Sequence, residues 1–343
     1  MSNKKTRKAA NVRSSILILL LIAILLIAST YAWFTANKTV TISTLNVSVQ
    51  ASSGLQISAD GSSWKAVLSN SDIDPTNLAS KYASNLNQIP EELKPVSTAG
   101  NLNDGLMDMF LGTVEADGNP DHTATYGQYV LTTTAQTDTS GTSGNYVAFD
   151  IFLRVDKDTD IVLTKASDVT DANPNDDRGL KNATRVAFIM AADSDVKASG
   201  AELSAIQGVK PSVLKIWEPN CNVHTAAAVS HGISNYGYTT ENLTTSTIIP
   251  SYKGVQAATT EALLLNSNDA TVFNTVTPTI QTNAAYGTAE GAKDTDFYSL
   301  KTGITKMRIY LWVEGQDIDC ENTASGANLK FDIQFAVKED TTP

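Results

Sequence analysis

Apolar and polar residues alternate with a period of two in four separate segments of this chain, a period that belongs to a strand lying on a core and not to a helix. The clearest segment sets Val147, Phe149, Ile151, Leu153 and Val155 on one face and Asp150 and Arg154 on the other. The others are Val186, Phe188 and Met190; Met307, Ile309, Leu311 and Val313; and Leu329, Phe331, Ile333, Phe335 and Val337. Each reads as a half-buried strand. Between them the chain is rich in turn residues, including Asp60-Gly61, Asp104-Gly105, Asp117-Gly118 and the polar run 137–145. Helical signals are few. Asp74-Pro75, followed by Leu78, Ala79, Tyr82 and Ala83, predicts a capped helix with proline in its first turn, and 259–265 is a weaker candidate. Strands dominate and the helices fall between them as insertions, so the expected class is all-β, an antiparallel sandwich with loop and short-helix insertions.

The N-terminus carries Lys4, Lys5, Arg7, Lys8 and Arg13 without an acid, followed by an apolar run of 13 residues at 16–28. Such a basic and then apolar order is that of a secretory signal, and the run falls short of the roughly 18 residues a membrane-spanning helix needs. Cleavage is expected after Ala32, in the small-residue stretch 28–32, with retention as an anchor the alternative. The expected organisation is a signal segment at 1–32 and a single domain at 33–343, with the least regular stretch, about 208–293, as an excursion. The whole chain has 25 basic and 36 acidic residues; removing 1–32 leaves 20 against 36, a net charge of −16. A surface of that sign repels nucleic acid, which is excluded as a partner.

Catalytic motifs are absent from the sequence. The three histidines, His122, His224 and His231, form no HExxH pair, and there is neither a Gly-x-Ser-x-Gly elbow nor a phosphate-cradling glycine loop. No enzyme activity and no cofactor are expected. The Asp-rich stretch with Asp168, Asp171, Asp176 and Asp177 offers hard oxygen ligands that suit calcium outside the cell, but its spacing misses the EF-hand pattern and such clusters are usually turn formers. Trp217, Tyr310 and Trp312 suit either a sugar-stacking surface or sheet packing, and their strand setting favours packing. Cys221 and Cys320, an even pair in an exported chain, are candidates for a disulfide; two independent thiols are the alternative, and no CxxC suggests metal.

Beyond Ala32 comes Trp33-Phe34-Thr35-Ala36-Asn37-Lys38, then Val40 and Ile42, after which the apolar phase shifts by one to Leu45, Val47 and Val49. A phase shift within a strand marks a bulge or a change of partner. This strand either pairs in its own domain or adds to the edge of a neighbour. The stretch Ser29-Thr30-Tyr31-Ala32-Trp33-Phe34-Thr35, with Asn37 and Leu45-Asn46-Val47-Ser48-Val49, resembles the start of the TasA/camelysin group of exported Gram-positive proteins. Two internal patches, 215–220 with His224-Thr225 and 309–320, are similar to surface proteins with such an N-terminus. The resemblance implies a jelly-roll sandwich, processing by a dedicated signal peptidase, and a structural role at the cell surface or outside it. Subunits of a fibre or biofilm matrix would join by donating the strand 33–49 to other copies or to related surface subunits. This chain is longer than the small fibre subunits of that group. A monomeric adhesin or ligand-binding module on the same fold is the competing expectation.

Overall fold

The computed structural model describes residues 40–41, 48–51, 54–116, 129–171, 178–235, 238–264, 269–284, 286, 293–320 and 329–339. Among these, two sheets carry the framework. The first has the order β19 (Ile280–Gln281), β15 (Val213–Glu218), β14 (Thr184–Met190), β21 (Gly303–Val313), β11 (Val147–Val155) and β3 (Gln56–Ser58). The second runs β20 (Thr295–Leu300), β12 (Thr159–Leu163), β22 (Leu329–Val337), β2 (Ser48–Ala51) and β4 (Val67–Leu68), and β13 (Asp168–Asp171) also pairs with β22. All four segments of alternating sequence are strands of this framework.

Their apolar faces meet in one core. Phe149, Ile151 and Leu153 of β11, Phe188 of β14 and Met307, Ile309 and Leu311 of β21 pack against Phe297 of β20 and Phe331, Ile333 and Phe335 of β22. Phe188, Phe297 and Phe335 form an aromatic knot, with ring centroids 4.8 to 5.7 Å apart. Burial of each such side chain contributes about 1.5–3 kcal/mol. The fold is all-β and sandwich-like, as expected.

The half-buried reading of the central strands needs correction, because the first sheet is covered on both faces. A second core joins Ala148, Ala187, Ile189, Ile216, Tyr310 and Trp312 on its other face to Val96, Met107, Met109, Tyr252 and Val276. The cover includes a third sheet, β17 (Leu263–Leu264), β10 (Tyr129–Gln136), β9 (Met109–Ala116) and β6 (Val96–Ser97), and the pairs β16 (Tyr252–Val255) with β18 (Phe273–Val276) and β7 (Leu102–Asn103) with β8 (Leu106–Met107). Trp217, Tyr310 and Trp312 are wholly buried, so the packing reading of these aromatics holds.

Helices are short: α1 (Asn70–Ile73), α2 (Pro75–Leu78), α3 (Leu203–Gln207) and α4 (Ala226–Asn235). As expected, Asp74 caps α2, its carboxylate accepting from the amides of Thr76 and Asn77. The candidate helix at 259–265 is not one; Leu263 and Leu264 form β17 instead, paired with Leu131 and Val130. Nor is 208–293 an excursion throughout. It supplies β15 and β19 to the sandwich itself and β16, β17 and β18 to the cover. Two pairings depart from the antiparallel expectation, β15 with β19 and, at the heart of the second sheet, β2 with β22.

Candidate functional site

The expected assembly strand enters the fold at two points. Val40 and Thr41 form β1, antiparallel to β5 (Glu92–Leu93), with Val40 opposite Leu93. Eight residues on, β2 lies between β22 and β4, with Val49 opposite Ile333 on one side and Leu68 on the other. Both points are pairings within the chain's own domain. The expected boundaries 33–49 are therefore too generous, because their last part is built into the second sheet. Trp33, Phe34, Ile42, Leu45 and Val47 lie outside the described residues, as do the segment 1–32 and its expected cut after Ala32. Among the described residues no helix is long and apolar enough to cross a membrane.

Two clusters of buried charge occupy the second face of the first sheet. In the first, Asp150 of β11 stands opposite Arg308 of β21 in the strand register, so alternation that removes both from one core delivers both to the other. Arg308 Nη1 donates to Asp150 Oδ1 at 2.8 Å, and its Nη2 donates to Asp138 Oδ2 at 2.6 Å and to the carbonyl of Leu86 at 2.8 Å. The second oxygen of Asp150 accepts from Tyr82 at 2.7 Å and lies 3.2 Å from Lys306 Nζ. Tyr310 and Tyr146 donate to Asp138 at 2.5 and 2.6 Å. Burial alone would raise the Asp150 carboxyl, yet Arg308 and then Lys306 beside it bring it down to about 2. Burial pulls the Lys306 ammonium below its usual range and pushes the Tyr82 and Tyr146 hydroxyls far above theirs. Acid, base and hydroxyl are occupied with one another, so the cluster is a clasp fixing loops to the sheet and offers no free nucleophile.

The second cluster gathers at the ends of β14, β15 and β21. Arg185 Nη2 lies 2.6 Å from both Glu218 Oε1 and Asp317 Oδ2, and the guanidinium sits 5.5 Å from the centre of the Tyr252 ring. Glu314, wholly buried, accepts from the Trp312 indole and from the amide of Gln316, each at 3.0 Å; burial pushes its carboxyl up to about 7. Beyond it, His224 Nδ1 lies 2.6 Å from Asp319 Oδ2 and Nε2 lies 2.8 Å from the carbonyl of Thr247. The Thr247 carbonyl can only accept, so Nε2 carries hydrogen; burial raises the Asp319 carboxyl, and with that carboxyl ionised Nδ1 donates as well and the ring is the imidazolium form. Burial opposes that charge, but the hydrogen bond to Asp319 and the charges of Asp319 and Asp317 outweigh it and raise the His224 pKa. Cys221 and Cys320, carried by the two segments that His224 and Asp319 tie together, are both buried and no disulfide joins them. Burial pushes the Cys221 thiol up to about 11.

The calcium candidates do not converge. Asp168 and Asp171 lie in β13, three residues apart on a strand, so they point to opposite faces of the sheet. Asp171 is paired with Lys181 at 2.9 Å, while burial raises the Asp168 carboxyl to about 6. Asp176 and Asp177 lie outside the described residues. Among the described residues no three of His, Cys, Asp and Glu are placed to hold a metal ion.

Sequence reasoning missed both charge clusters, having placed Asp150 on a solvent face. The signal was present: four charged residues, Asp150, Arg185, Lys306 and Arg308, stand among apolar strands whose other positions of the same phase include Ala148, Phe152, Ala187, Ile189, Tyr310 and Trp312. Comparison of the chain with protein-family models, with curated proteins and with solved structures found no match in any of the three.

Proposed function

We propose that this chain is an exported structural subunit of an extracellular fibre or biofilm matrix, a non-enzymatic protein on a jelly-roll-like sandwich that joins other copies of itself through its N-terminal strand region. Successive strands change sheet, from β11 in the first to β12 in the second, back to β14 and β15, then to β20, β21 and β22 in alternation, a wrapping that supports the jelly-roll reading. The charged groups of the interior support a structural role, since they clasp loops to the sheet.

The observation that carries the assembly reading is the way the N-terminal chain is held. β2 pairs over four residues with β22 and over two of them, Val49 and Gln50, with β4 as well, whereas β1 is held by only two residue pairs, with Glu92 and Leu93. The anchored part keeps the segment attached to its own domain, and the stretch before Val40, with Trp33 and Phe34 near its expected processed end, is the part available for donation. Negative-stain electron microscopy of the secreted protein at raised concentration, with N-terminal sequencing, tests this. Fibres formed by a chain beginning near Trp33 are the expected result. Persistent monomers would overturn the reading and favour the adhesin or ligand-binding alternative.

A further inference from the structure

Glu314 follows directly on β21, where the end of that strand meets the cover. Its amide donates to the carbonyl of Ala183 at 2.8 Å, and the next amide, that of Gly315, donates to the carbonyl of Val96 in β6 at 2.9 Å. The side chain is wholly buried. Besides the Trp312 indole and the Gln316 amide, its carboxyl is hydrogen-bonded to the hydroxyl of Ser97, the neighbour of Val96 in β6. Ser97 Oγ in turn accepts from the amide of Val255 in β16 at 3.1 Å, and the Val255 carbonyl accepts from the amide of Ala99 at 2.7 Å. One carboxyl group therefore ties the first sheet to two separate parts of its cover.

The charges around it do not balance. Four buried carboxyls, Glu218, Glu314, Asp317 and Asp319, share this region with two buried cations, Arg185 and His224. Arg185 is engaged with Glu218 and Asp317, and His224 with Asp319. Glu314 is left with neutral donors, and among the described residues none forms an ion pair with it. The elements packed around it bring no further cation. β14 contributes Arg185, β15 Glu218, β16 the buried Tyr252 and the segment beyond β21 Asp317; β6 carries no charged side chain, and Lys253 of β16 is exposed, donating to Thr275. A buried carboxyl without a cation holds its proton more tightly than one in water, and neutral donors offset only part of that tendency.

We propose that Glu314 is a proton-operated joint between the sandwich and its cover: in its protonated form it seats β6 and β16 on the end of β21, and its ionisation as the pH rises loosens that seat while the main core stays closed. The ionised group draws water toward itself, and the contacts nearest to it are the Gly315 to Val96 bond and the Ser97 relay. The pairings of β21 with β11 and β14 do not pass through the joint. Because burial raises the folded carboxyl to about 7, from about 4.5, the stabilisation is full below about pH 4.5 and is lost as the pH rises through 7.

Amide hydrogen exchange of the full chain and of E314Q, at about pH 6 and about pH 8.5 and corrected for the pH dependence of free amides, tests the proposal. In the unaltered protein the protection of Gly315, Val255 and Ala99 should fall about tenfold between the two pH values, as linkage through the raised carboxyl requires, while Phe149 and Ile309 in the main core keep theirs. In E314Q the three cover amides should show no such fall. His224 and Asp319 titrate in both chains, so their share cancels in the comparison. A fall of equal size in E314Q, no fall in the unaltered chain, or a fall shared equally by Phe149 and Ile309 would each overturn the proposal. The carboxyl carbon of Glu314, followed by NMR in the unaltered chain, gives a test that does not depend on the variant's folding: titration near 7 supports the joint, and titration below about 5 overturns it.

Discussion

Replacing Arg308 by methionine should expose how much the interior clasp contributes. The guanidinium holds Asp150 at 2.8 Å and Asp138 at 2.6 Å, and its own residue is 2 % exposed, so water cannot substitute for it. Without it both carboxylates stay buried, supported by tyrosine hydroxyls and, for Asp150, by Lys306 at 3.2 Å. Breaking one partner out of a buried ion pair costs about 3–5 kcal/mol, much of it the desolvation of the charge left behind. The pH dependence supplies an independent figure. Asp150 is held at about 2 in the folded chain, against about 4 for an ordinary aspartate, a depression that corresponds to roughly 2–3 kcal/mol. Because the folded pKa is depressed, this stability is fully present above pH 4 and is lost as the pH falls from about 4 toward 2. Urea unfolding of the unaltered chain, R308M and D150N at pH 6 and at the lowest pH the fold tolerates measures both quantities. R308M should lose about 3–5 kcal/mol at pH 6, and the gap between the unaltered chain and D150N should narrow in acid. A loss under about 1 kcal/mol, or stability curves that run parallel with pH, would refute the reasoning.

Other consequences are as direct. His224, donating to Asp319 and to Thr247, should titrate above an ordinary histidine by NMR; its contribution is present below about pH 6.5 and disappears as the pH rises through its own raised pKa, so H224F should flatten stability in that range. A pKa below 6.5 would contradict the imidazolium assignment. The buried thiols of Cys221 and Cys320 should resist a disulfide-exchange reagent in the folded protein and release two equivalents on unfolding without reductant; no release would mean that they are joined. Adding a methyl group at Gly254 would set a carbon 2.0 Å from the carbonyl oxygen of Thr98, and at Gly303, where φ is +124°, 2.4 Å from that of Lys197. G254A and G303A should each cost about 3 kcal/mol and lower the melting temperature by roughly 5–10 °C; an unchanged melting temperature would show that the two layers yield freely there.

The four alternating segments made the sandwich legible because period two is a local property that survives whatever lies across the sheet. Whether the second face of a strand meets water is not local. Asp150 looks solvent-facing from its neighbours alone, and its ion pair with Arg308 requires residues 158 positions apart. The apolar company of these charges, Ala148, Ile189, Tyr310 and Trp312, was the legible hint that a second layer covers the sheet. At 259–265 a helical period of apolar residues yielded to tertiary pairing, since Leu263 and Leu264 find a partner edge in β10. Asp168 and Asp171 were grouped by proximity in sequence, and strand geometry separates them.

The position of β22 gives the architecture a consequence for assembly. This C-terminal strand pairs with β12 and β13 on one side and β2 on the other, so the second sheet has no centre until the last strand of the framework is made. Its parallel pairing with β2 joins residues 48–51 to 332–335, nearly the longest sequence separation the chain allows. Contacts of that range form slowly, because loop closure must precede them. The antiparallel pairing of β2 with β4, Val49 with Leu68, is far more local and can form first, so β22 arrives on an edge that β2 already presents. The interior charges sit in the first sheet, whose strands β11, β14 and β21 are buried along almost their whole length, and their clasps hold the cover in place around a sheet to which β2 and β22 contribute no strand.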